Sequence, residues 1–140
     1  MKKLVVILLL MSRLTVFSQV LTVEISGIRN EKGVIQLSVF CSQESFSNET
    51  PQAILKFTKE GLTNGSIKLT LSNLPYGKYG LALIDDTNEN GKIDYRGFVP
   101  CEGFGFSNYH NKIKSKPSFD SFSFDFTEEK KVKIEVIYFK

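Results

Sequence analysis

The chain has 140 residues, with 18 basic and 15 acidic side chains, two cysteines, one histidine and no tryptophan. The whole basic excess lies in Lys2, Lys3 and Arg13, so charges balance beyond residue 18, which argues against the clustered positive field that nucleic acid requires. Neither a CxxC pair nor a Cys/His cluster is present, so thioredoxin-like redox chemistry and a structural zinc site are unsupported.

In chain order, Lys2 and Lys3 precede the apolar run "LVVILLLM", and "VFSQ" then offers a cut between Ser18 and Gln19. This is the grammar of a secretory signal, with Arg13 unusually close behind the apolar run. That run is too short to span a bilayer, and no Cys follows it for lipid attachment. Residues 1–18 are therefore expected to be a signal peptide and 19–140 a single exported domain, periplasmic or secreted, without a membrane span after cleavage. In that oxidising setting Cys41 and Cys101 are expected to form a disulfide.

Period-two alternation governs the remainder. Leu21, Val23 and Ile25 share a face in "LTVEISGI", and Ile35, Leu37, Val39 and Cys41 share one in "GVIQLSVFC". "AILKFTK" and "SIKLTLSNL" follow, then "YGLALI", apolar enough for a central strand. Phe122, Phe124 and Phe126 alternate in "SFSFDF", and Val132, Ile134, Val136 and Tyr138 in "KVKIEVIYF". Turn chemistry ("NEKG", "TNG", "PYGK", "TEEK") separates these runs, and "SQESFSNETPQ" suits a loop or one helical turn. The expectation is all-β, a single antiparallel Greek-key sandwich of about seven strands. An outer-membrane barrel would need longer strands with apolar outer faces, where this chain places Thr, Lys, Glu and Gln.

"DDTNENGKID" carries the clearest chemistry. With Asp86 as position 1 of a calcium loop, Asn88, Asn90 and Asp94 fall at 3, 5 and 9, Gly91 at the sharp turn, and Lys92 where a backbone carbonyl ligates. Every side chain at 1, 3, 5 and 9 supplies oxygen, which a hard cation requires. Position 12 is Gly97 rather than a bidentate Glu, so the missing carboxylate must come from elsewhere, with Glu102 and Asp85 the candidates, or be replaced by water. The competing reading is a type I′ hairpin turn at Asn90-Gly91, which accounts for two residues only. Mg²⁺ suits an all-protein cage less well than Ca²⁺.

The segment "GFVPCEGFGFSNYHNKIKSKPSF" has no strand pattern and reads as a long aromatic surface loop. His110 and Ser107 lie in it without a nucleophile elbow, which disfavours a hydrolytic triad. Asp85, Asp86 and Glu102 could alternatively serve as acid and base for glycoside hydrolysis.

The order and spacing of "LTVEISGIRNEKGVIQLSVF", "LPYGKYGLALIDDTNENGKID", "GFVPCEGFGFSN" and "PSFDSFSFDF" resemble the exported bacterial domain-of-unknown-function family 2141. The resemblance implies a transthyretin-like or carboxypeptidase-regulatory-like β-sandwich and carries no activity. The combined expectation is a non-enzymatic envelope module that binds Ca²⁺ and meets a protein or glycan through its aromatic loop. The alternative is a small secreted hydrolase using Asp86, Asp94 or Glu102.

Overall fold

Residues 19–140 are described by the computed structural model, and the expected signal peptide, residues 1–18, lies outside them. β1 (Val20–Ser26) buries Leu21, Val23 and Ile25 to 1% exposure or less and leaves Thr22 and Glu24 partly wet, as its alternation dictates. β2 (Val34–Phe40), β3 (Ala53–Thr58), β4 (Ile67–Ser72) and β5 (Gly77–Asp86) fall where the alternating runs place them. Between β4 and its preceding strand, Asn64 and Gly65 both adopt positive φ, completing a tight turn beside the Thr63–Ser66 bridge.

Beyond β5 come β6 (Tyr95–Arg96), β7 (Val99–Pro100), β8 (Gly103–Phe106), β9 (Phe124–Phe126) and β10 (Lys130–Glu135). One sheet has the order β10-β1-β4 and the other β3-β2-β5-β8, with β9 pairing the first residues of β5 and β6-β7 forming a separate hairpin. The inner rows of the two main sheets bury one common cluster, in which Val23, Leu37, Leu83, Phe126 and Ile134 are central. β3 and β4 end their sheets, so the strands do not close into a barrel.

The all-β expectation holds, with three corrections. β1 and β10 are parallel, so the pairing is not wholly antiparallel. Phe122 leaves the row of Phe124 and Phe126 and packs with Phe40, Phe46 and Phe119 in a second cluster beyond a 3₁₀ turn at Phe119–Ser121. The segment after β5 is not patternless, because it contains β7 and β8. "SQESFSNETPQ" takes the helical alternative: α1 (Gln43–Ser47) is closed by reciprocal hydrogen bonds between Ser42 and Ser45, and Phe46 anchors it.

The disulfide expectation is also corrected. Cys41 and Cys101 are both exposed free thiols. Cys41 follows the end of β2 that faces Gly80, and Cys101 precedes the end of β8 that faces Asp85. Those two levels of β5 are five residues, roughly 17 Å, apart along the strand, far beyond the ~7 Å that a disulfide bridges. Native maleimide labelling of residues 19–140 without reductant is expected to add two labels per chain; an unlabelled, intramolecularly oxidised species would contradict this placement.

Candidate metal centre

Alternation along β5 sends Asp85 and Asp86 to opposite faces. Leu81 and Leu83 point into the core, so Asp85 does too, while Ala82, Ile84 and Asp86 face outward. Asp86 is nevertheless fully buried, because the following loop curls back over it. Its Oδ1 accepts from the Asn90 N–H (3.2 Å) and its Oδ2 from the Gly91 N–H (2.8 Å). Asn88 Oδ1 accepts from the Asn90 N–H (3.2 Å) and Asn90 Oδ1 from the Lys92 N–H (3.1 Å), two local Asx turns.

Positive φ falls on Glu89 and Gly91 and not on Asn90. A type I′ turn needs it at both central residues, so Asn90-Gly91 is not that turn. The loop is instead wound around the Asp86 carboxylate. Gln36 anchors it to β2 by donating Nε2–H to the Gly91 carbonyl at 3.1 Å.

The β5–β8 register pairs Asp85 with Gly103, and one further step sets Glu102 opposite Asp86. Glu102 is 5% exposed, and its Oε2 accepts from the Asp94 N–H at 2.7 Å. Burial, and then the charges of Asp94 and Asp86, hold its carboxyl above the ordinary range. Asp94 is shifted the other way: Asn88 Nδ2–H (2.8 Å) and Asn90 Nδ2–H (2.6 Å) both donate to its Oδ2 and lower its carboxyl. Asp86, Asn88, Asn90, Asp94 and Glu102 are thus assembled in one place, with the Lys92 backbone in the same turn.

Among the described residues, no three His, Cys, Asp or Glu side chains form a ready-made metal cluster. Two of the loop's oxygen donors are amides, and both turn their NH₂ groups toward Asp94. A half-turn of each amide would bring its carbonyl oxygen to the Asp94 side, at the cost of the hydrogen bond that this oxygen accepts from the Asn90 or Lys92 N–H.

Asp85, the other carboxylate considered for position 12, cannot serve. Its Oδ1 meets Lys59 Nζ at 2.5 Å, and both side chains are buried. Lys59 Nζ also donates to the Asn30 carbonyl (3.1 Å) and the Lys32 carbonyl (2.5 Å). Tyr138 OH donates to Asp85 Oδ2, and burial followed by that contact raises the phenol above its ordinary value. The Arg29 guanidinium covers the Tyr138 ring at 4.1 Å. Sequence reading overlooked Lys59, although its signal was present: Ala53, Leu55 and Phe57 set an inward phase that Lys59 continues.

His110 is exposed. Ser107 is fully buried, donating to the Phe122 carbonyl and accepting from the Leu81 N–H, so it is a structural clasp. Immediately after Asp94, the β6-β7 hairpin turns at Gly97 and presents Tyr95, Val99 and a fully exposed Phe98. Its base is tied to the loop by the Cys101 N–H donating to the Asp94 carbonyl at 2.8 Å.

A family model described as "Uncharacterized protein conserved in bacteria (DUF2141)" matches residues 23–135. No curated protein and no solved structure matches the chain.

Proposed function

The chain belongs to the bacterial family DUF2141, and on that footing we propose that it is an exported, non-enzymatic β-sandwich module of the cell envelope that binds Ca²⁺ through Asp86, Asn88, Asn90, the Lys92 carbonyl, Asp94 and Glu102. The reading rests on one observation above all: Glu102, eight residues beyond Asp94 in sequence, is buried against the loop at the level of Asp86. Burying a carboxylate beside two others is costly unless a cation or proton compensates it. Oxygen donors of mixed carboxylate, amide and carbonyl type suit calcium, with extracellular-type affinity of about 10⁻⁴ to 10⁻³ M.

The bound ion would stiffen the base of the β6-β7 hairpin, through Asp94 and Glu102, and so fix the aromatic tip presented to a protein or glycan partner. The full exposure of Phe98 favours a protein with an apolar pocket, since a convex apolar tip gains most by being enclosed. The hydrolase alternative draws on the opposite shifts of Glu102 and Asp94, the pattern of an acid–base pair.

Calcium at 10 mM should stabilise the domain by about 1.4–2.7 kcal/mol over that affinity range, measured by chemical denaturation with and without EDTA. Glu102→Gln should remove most of this gain. Protons compete for Glu102, whose carboxyl sits above the ordinary 4.5, so calcium affinity should decline on acidification from a higher pH than an unshifted Glu would give. No stabilisation by calcium, with Asp86→Ala equally indifferent, would remove the cation reading and leave the hydrolase.

A further inference from the structure

The outer face of the larger sheet carries a feature that the cation site does not use. The register lines up Lys56, Gln36, Ile84 and Phe104 in one row across β3, β2, β5 and β8. The next row is Ile54, Ser38, Ala82 and Phe106. A soluble sheet face open to water would ordinarily be polar, yet five of these eight positions are apolar. The face is not flat: the 86–94 loop rises at one end, and α1 with residues Ile113 and Pro117 rises at the other. Between them lies a cleft of about 590 Å³. That is within the range of roughly 300–1,000 Å³ typical of sites for small organic ligands.

Its two ends differ in charge. At the α1 end Lys116 is already matched by Glu49 at 3.4 Å and lies over the Phe46 ring. At the loop end stand Lys92, which lines the cleft, and Lys56, whose Nζ would lie 3.7 Å from a Cβ on Gly91. Among the described residues neither makes an ion pair. Within the loop, Asp86 is taken up by the Asn90 and Gly91 N–H groups and Asp94 Oδ2 by the side-chain amides of Asn88 and Asn90.

We propose that this cleft binds a free amphiphilic anion, an apolar chain or ring system bearing a single carboxylate-type head. The head pairs with Lys56 and Lys92, and the apolar body lies over Ile84, Phe104, Ala82 and Phe106. A sugar would leave its hydroxyls facing Ile and Phe side chains with few partners, whereas an acyl chain loses nothing there. A bilayer surface fits poorly, because the cleft is walled at both ends. The site does not depend on the calcium reading, since the sheet face, the residues that bound it and the two lysines are in place without an ion.

The test is titration of the mature domain with decanoate in EDTA, below its micellar concentration, beside decanol and beside phosphatidylcholine vesicles containing phosphatidylglycerol. Saturable one-to-one decanoate binding is expected, at least tenfold tighter than decanol. Lys56→Glu should weaken decanoate at least tenfold and leave decanol unchanged. Ala82→Phe, which fills the floor, should abolish both. If that variant melts early, Ile54→Glu replaces it, because Ile54 is 54% exposed and its loss does not open the core. No saturable binding, equal binding of decanoate and decanol, indifference to Lys56→Glu, or binding to vesicles alone would each overturn the proposal. Every one of these results leaves the calcium titration unaffected.

Discussion

Lys59→Met is expected to destabilise the domain by about 3–5 kcal/mol, the cost of stripping one partner from a buried ion pair. The ammonium has three close acceptors, Asp85 Oδ1 and the carbonyls of Asn30 and Lys32. It therefore ties the end of β3 to the β1–β2 connection and to β5 at once. Without it, Asp85 keeps only Tyr138, and the carboxylate remains at zero exposure. Two carbonyls would also lose their donor. The double variant Lys59→Met with Asp85→Asn should recover a good part of the loss, because no buried charge is then orphaned. Urea denaturation of the wild type, both single variants and the double would give the coupling energy directly. A single-variant loss below about 1 kcal/mol would mean that water reaches Asp85 and that the pair behaves as a surface contact.

Why some of this was legible in the sequence and some was not follows from where each side chain carries its information. Strands with one wet face announce themselves, because Val23 and Glu24, or Ile134 and Glu135, obey opposite solvents on successive residues. Spacing likewise marked out the loop wound around Asp86, since Asp86, Asn88, Asn90 and Asp94 alternate along a curled backbone. β8 stayed hidden because its inward residues are Gly103 and Gly105, which have no side chain to register as apolar. Its outward residues, Phe104 and Phe106, line the cleft and so reverse the usual polarity of an outer face. The parallel β1–β10 pairing joins residues more than a hundred positions apart, and alternation fixes a face without choosing a neighbour. Two cysteines in a chain expected to be exported suggest a bridge, but only the register shows that they lie at well-separated levels of β5.

Those two glycines are the subject of the second large effect. Gly105→Ala is expected to cost about 1–3 kcal/mol, the usual range for overpacking, and to weaken calcium binding although the residue touches no proposed ligand. A Cβ at Gly105 would stand 2.5 Å from the Glu135 backbone carbonyl oxygen and 2.8 Å from Ile134 Cγ2. A carbonyl held in a strand cannot swing aside, so β8 itself must lift away from β10. That movement strains the two hydrogen bonds between Phe104 and Ile137. It also shifts Glu102, three residues upstream, away from the Asp94 N–H. Gly103→Ala meets a different obstacle, the Tyr138 ring and Val136 Cγ1. The ring can rotate, but only by giving up the contact with Asp85, so this variant should lose stability with less effect on calcium. Denaturation midpoints paired with calcium titrations of the two variants separate these routes. Loss of stability in Gly105→Ala with calcium affinity unchanged would show that Glu102 holds its place without β8, and that the register is not what delivers it to the loop.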